Sequence, residues 1–238
     1  MKIEVYSDAD AVALEAAKLI AKMAREAVAA RGKFVMAVSG GKTPWIMLHD
    51  LAQEDVPWRG VHVVQVDERV APEGDPDRNL THLRESLLEH APLRSEQIHA
   101  MPVEATNLEA ACMRYALTLD EIAGSPPVLD LAHLGLGPDG HTASLVPGDR
   151  VLDVKDADVA FTGIYQNRQR MTLTYPIINR SRRVLWLVTG NEKAGMLARL
   201  QTGDVSIPAG RVSRDHAVVL VDHAAAGQEV TESKTEVA

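Results

Sequence analysis

A chain of 238 residues that is 46% hydrophobic can enclose one substantial core, and a formal net charge of −8 makes it a poor partner for a nucleic-acid backbone. No apolar run approaches the roughly 18 residues a membrane span requires, and the opening MKIEVYSDAD is too polar for a secretory leader, so a cytoplasmic protein without membrane association is expected. The single cysteine, Cys112, excludes an internal disulfide and a cysteine-based zinc cluster, and is expected as a small apolar residue on a helix face.

In chain order, residues 9–30 carry apolar side chains at helical spacing, with Asp8 or Asp10 placed to cap the start and Gly32 to end the run. FVMAVSGG is a short apolar run that breaks into glycines, and TPWIMLHDLAQ follows as a helix with Pro44 suited to its first turn. VHVVQVDE and LDLAHLGLG are unbroken apolar runs ending in polar or glycine-rich turns, as expected of strands buried on both faces; VLWLVTG and HAVVLVD complete the set. Helices are predicted between them over residues 79–90, 107–123 and 191–201. This alternation predicts an α/β fold, a mostly parallel sheet with helices on both faces, as a single domain over 1–238. The stretch from about residue 224 has no periodicity and is expected to fray.

In open parallel sheets ligands bind outside the carboxyl ends of the strands, where the polar turns must lie. Four such turns carry unusual residues. Ser39, Gly40, Gly41 and Lys42 precede a helix start, where close backbone approach and unpaired N–H groups suit an anion such as phosphate; a plain strand-to-helix turn would read the same, and the G-x-x-x-x-G-K-S/T spacing of a nucleotide loop is absent. Asp67, Glu68 and Arg69 end the VHVVQV run, either as a solvated rim or with Arg69 presenting donors to a carboxylate, phosphate or oxyanion. Residues 134–149, LGLGPDGHTASLVPGD, match a dinucleotide G-x-G-x-x-G only superficially, because Asp139 would set a negative charge against the pyrophosphate. The better reading is a sharp turn that projects Asp139 and His141 into the cleft, with the imidazole suited to proton transfer near neutrality. Arg170 and Lys193, with Lys42, Arg69 and as a further candidate Arg211, would supply a local positive field; each on a separate solvated edge is the alternative.

GLGPDGHTASLVPG, supported by VDERVAPEGDPDRN, RMTLTYPIIN and VTGNEKA in that joint order, resembles the 6-phosphogluconolactonase family, within a larger group that includes glucosamine-6-phosphate deaminases. The resemblance implies a Rossmann-like fold, no cofactor and no metal. It also implies a small-molecule partner, the phosphorylated sugar lactone of the oxidative pentose phosphate pathway. It implies His141 as general base, Asp139 orienting it, Arg69 stabilising charge at the carbonyl, and Asp67 beside them in the catalytic set. The SGG backbone, Arg170 and Lys193 would hold the phosphate, with Lys42 and Asn79 lining the cleft. Thr142 and Ser144 are expected as helix-start residues rather than nucleophiles. Two departures stand out: Gly210 in IPAGRV where a small polar residue is expected, and the absence of an aromatic residue from the last strand. Two alternatives follow. A deaminase or isomerase is disfavoured by Arg69 after Asp-Glu. A non-catalytic sugar-phosphate sensor would need an attached DNA-binding helix-turn-helix, whereas this chain is expected to begin directly with its first strand.

Overall fold

The computed structural model describes residues 1–227. The main sheet has seven strands: β1 (Lys2–Tyr6), β2 (Phe34–Val38), β3 (Val61–Gln65), β5 (Ile98–His99), β6 (Leu131–Gly135), β9 (Val184–Val188) and β10 (Ala217–Asp222). They lie in the order β1-β10-β9-β6-β2-β3-β5, and every pairing is parallel. From β2 the chain runs outward through β3 to β5, then returns to β2's other side with β6 and continues to β9 and β10. The strand order therefore reverses between β2 and β6, the crevice where open α/β sheets accept ligands.

All five residues of β2 are buried, and their side chains alternate between two apolar layers. Phe34 and Met36 pack with α1 (Ala9–Arg31), α2 (Lys42–Leu51) and α3 (Asn79–Leu83). Val35 and Ala37 face the layer that holds α4 (Leu108–Ala123), α5 (Tyr175–Arg180) and α6 (Ala194–Thr202). Helices on both faces are thus what the buried runs required. Of the two candidate caps, Asp8 serves α1: its carboxylate accepts from the Ala11 N–H, and Gly32 closes the helix at φ 76°. Cys112 lies on the inner face of α4, where burial pushes its thiol up to about 11.

Several elements differ from expectation. The segment Asp67–Arg69, read as a polar turn, is a strand, β4, that leaves the main sheet directly after β3. It joins β7 (Val159–Phe161) and β8 (Arg170–Leu173) in a small antiparallel sheet of order β4-β8-β7. The helix predicted over 79–90 stops being α-helical at Leu83 and continues as a π-helical segment, Arg84–Leu88. The helix over 191–201 opens with a 3-10 turn, Asn191–Lys193. Where fraying was expected from about 224, the first four residues form a turn in which Ala225 is buried and donates its N–H to Asp222; the remainder lies outside the described residues. No helix among the described residues is long and apolar enough to cross a membrane.

Candidate active site

The turn after β2 is anchored from below. Ser39 donates its N–H to His133 Nδ1 and its hydroxyl to the His133 carbonyl, so the buried imidazole on β6 ties the two strands of the crevice together. Burial pushes His133 down to about 4, which leaves it a neutral structural group. Gly40 is required by close approach: a Cβ there would lie 2.0 Å from Asn79 Oδ1. α2 begins at Lys42, with no side chain capping its first N–H groups, and Thr43 Oγ1 lies 2.8 Å from Thr189 Oγ1 at the end of β9.

Within Asp67–Glu68–Arg69 the strand's alternation separates three roles. Glu68 points inward with no exposed surface, accepting from the Asn79 and Leu80 N–H groups at the start of α3, from the Arg69 N–H and from Gln65, and pairing with Arg78 at 3.2 Å. It was not separated from its neighbours by sequence, because a three-charge run does not say which member is buried. Asp67 and Arg69 face the crevice. Asp67 Oδ2 accepts from the Ser144 hydroxyl at 2.6 Å, and Asn79 Nδ2 donates to the Asp67 carbonyl at 2.9 Å. Arg69 is the antiparallel register partner of Arg170, so two guanidinium groups leave the small sheet on one side. Each has a buried Nε without a hydrogen-bond partner, although Arg69 Nη1 donates to the Asp77 carbonyl. Burial holds Arg170 below its ordinary value and Arg69 adds to this, with Asp67 pulling the other way. An anion between the two arginines would relieve that cost.

The turn after β6 presents His141. The Gly137 N–H donates to the His141 carbonyl, and the Gly140 N–H to that of Gly137, which folds the chain back on itself. A Cβ on Gly137 would sit 2.1 Å from His141 Nδ1, so this glycine makes room for an imidazole, not for a pyrophosphate. Nδ1 lies 2.5 Å from Asp139 Oδ1, which also accepts the His141 N–H. A carboxylate there requires the proton on Nδ1 and leaves Nε2 as the free base nitrogen. Burial alone would raise Asp139; hydrogen bonds from the His141 ring and main chain, joined by the Tyr165 hydroxyl, outweigh it and hold the carboxyl below its ordinary range. Thr142 and Ser144 begin no helix, contrary to expectation: Thr142 bridges to Leu145 in a tight turn, and Ser144 is spent on Asp67.

These turns enclose one cavity of about 360 Å³. Ser39, Gly40, Gly41, Lys42, Asp67, Arg69, Asn79, His141, Arg170 and Lys193 all line it, so the structure brings together the site residues expected from the sequence except Asp139, which stands behind the imidazole, and Arg211. Four cations and two carboxylates, Asp67 and Glu192, face this space within an otherwise acidic chain. Arg211 does not reach it; its Nε donates to the Val205 carbonyl on the surface. Gly210, the departure beside it, is dictated by packing, since a Cβ would meet the Asp204 carbonyl at 2.0 Å. Sequence reading also missed Tyr165, whose hydroxyl reaches Asp139 from a polar hairpin that shows no periodicity.

The profile of the family described as glucosamine-6-phosphate isomerases/6-phosphogluconolactonase matches residues 7–221. A 6-phosphogluconolactonase of Mycobacterium tuberculosis is 36% identical over 240 residues, covering 95% of this chain and 97% of that one. The crystal structure of 6-phosphogluconolactonase from Thermotoga maritima superposes with a TM-score of 0.82 at 29% identity, over 93% of this chain and 98% of that one. A monomeric glucosamine-6-phosphate deaminase superposes as well, with a TM-score of 0.83 over 96% of this chain and 100% of that one, but at 21% identity the likeness concerns the fold alone. With nearly the whole length matched both in sequence and in space, the chain belongs to the glucosamine-6-phosphate isomerase/6-phosphogluconolactonase family.

Proposed function

We propose that the protein hydrolyses 6-phospho-D-glucono-1,5-lactone to 6-phospho-D-gluconate, the lactone step of the oxidative pentose phosphate pathway. One observation carries the reading: a carboxylate-backed imidazole and an anion cradle open into the same cavity. His141 Nε2 takes a proton from water as the oxygen bonds to the lactone carbonyl carbon; the tetrahedral oxyanion is held by Arg69, and the ring C–O bond breaks as the same imidazole returns the proton to the departing oxygen. Water is thus added across the ester bond, with no net proton change at the enzyme. The SGG amides, Arg170 and Lys193 hold the phosphate, and Lys42 and Asn79 complete the wall. Asp67 orients Asn79 and balances the arginine pair. With Ser144 and Asn79 engaging it, its carboxylate suits this role better than the carbon deprotonation an isomerase would ask of it.

The relatives named 6-phosphogluconolactonase, aligned over nearly the full chain, support the same choice, as does an arginine directly after Asp67-Glu68. The test compares acid formation from the lactone, above its spontaneous rate, with ammonia release from glucosamine 6-phosphate. Acceleration of the first alone is expected, and it should be lost with a lactone that lacks the phosphate. Ammonia release without lactone turnover would reassign the protein to the deaminases.

A further inference from the structure

Tyr165 reaches the base from a different sheet. It lies in the hairpin between β7 and β8, whereas Asp139 and His141 follow β6. Its hydroxyl donates at 3.0 Å to Asp139 Oδ2, the carboxylate oxygen that His141 does not use, and lies 3.5 Å from His141 Nδ1. The two rings meet edge to face, with centroids 5.5 Å apart. Arg170 stands over the same phenol ring at 5.0 Å from its centroid. The turn that presents the ring is closed by Gln166 and Asn167 at φ 50° and 62°, a left-handed pair without glycine, and Gln166 Oε1 accepts from Arg170 Nη2 at 3.0 Å.

Asp139 sits on a glycine-flanked turn with about a third of its side chain exposed, so its carboxylate plane would turn freely if only one oxygen were held. Two anchors, His141 on Oδ1 and Tyr165 on Oδ2, remove that rotation. Burial, and then the bond to Asp139, raise the phenol above its ordinary value, so it stays protonated and a donor at neutral pH.

We propose that Tyr165 is a positioning residue for the hydrolysis: it fixes the Asp139 carboxylate so that His141 keeps Nδ1 protonated and Nε2 free, and it supports Arg170 on its ring, joining the anion cradle to the base. This rests on the lactonase reading above. Packing of a hairpin against a turn is the plainer account, and Tyr165→Phe separates the two because it keeps the ring.

In Tyr165→Phe, kcat is expected to fall about tenfold, the equivalent of one charge-assisted hydrogen bond, with KM changed less than about twofold. The acid limb of kcat/KM against pH should move to higher pH. Asp139 and Tyr165 are the titratable groups on His141 Nδ1, with Arg170 beyond the phenol, and a carboxylate freed of one donor holds the protonated imidazole more tightly. Tyr165→Ala should raise KM as well, through loss of the ring under Arg170. With Asp139→Asn already present, Tyr165→Phe should change nothing further. Wild-type kcat and an unmoved limb in Tyr165→Phe would overturn the proposal while leaving the lactonase assignment intact. If the wild-type enzyme lacked lactonase activity, the proton resonance of His141 Nδ1–H would still decide: it should shift in Tyr165→Phe, and an unchanged resonance would refute the positioning role.

Discussion

His141 owes its place to what its neighbours lack. Because a Cβ at position 137 would lie within 2.1 Å of Nδ1, Gly137→Ala should push the imidazole off Asp139 and lower kcat by about 10- to 100-fold, with the melting temperature nearly unchanged. An unaltered kcat would mean that the ring's placement is immaterial. His141→Ala should lower kcat by at least about 10²-fold, the usual contribution of a positioned base, and because the ring lines a cavity its circular dichroism and melting should match wild type. On the proposed reading Lys193 holds the phosphate: its alanine variant should raise KM about fivefold or more with kcat kept, since attraction for phosphate acts alike on ground and transition states. Unchanged KM would place Lys193 outside the phosphate site. These residues were readable as candidates because a polar, glycine-flanked turn after an apolar run has few other uses. Tyr165 was not readable, since its partner Asp139 is 26 residues away and nothing in YQNRQR marks a contact.

Among elements, β4 and α3 decide whether the crevice has a second wall. Glu68 fastens them together: three backbone N–H groups and the Gln65 amide donate to it, and the Arg78 guanidinium pairs with it at 3.2 Å. Glu68→Gln would turn an amide NH₂ toward donors and leave the buried Arg78 facing only the exposed Glu104 carboxylate, 3.6 Å from its Nη1. It should therefore cost about 3 kcal/mol. For a chain of this size that is a drop in melting temperature of about 6–12 °C, and it should weaken activity too, because Asn79 is the first residue of α3. A thermal melt within 2 °C or so of wild type would refute the anchoring role. The strands buried on both faces, β2, β3, β6, β9 and β10, were legible because burial on two sides forces an unbroken apolar run. β5, β7 and the π-helical segment were not: two, three and five residues are too few to display a period, and their pairing is set by what they meet.

For the whole molecule, His133 makes stability depend on pH. Its folded value, pushed to about 4 by burial, lies below the value near 6.5 of an unfolded histidine, so acid protonates the unfolded chain first. Its contribution is complete above about 6.5 and is lost as pH falls toward 4, by up to about 1.4 kcal/mol per pH unit. Urea unfolding across that window should show a shallower decline, by about one proton, in His133→Asn, whose side-chain oxygen can still accept the Ser39 N–H. An equal slope would remove His133 from the balance. At this scale the division between sequence and structure is plain. The sequence by itself determined the α/β layering, the strand-end turns and the presence there of residue types suited to proton transfer and anion binding, because hydrophobic period and glycine placement are local properties of the chain. Only the tertiary structure decided that strand order reverses between β2 and β6, that Arg69 stands beside Arg170, and that Tyr165 closes on Asp139. Those contacts join residues far apart in the chain, and their geometry is set by which buried faces pack together, not by any spacing along it.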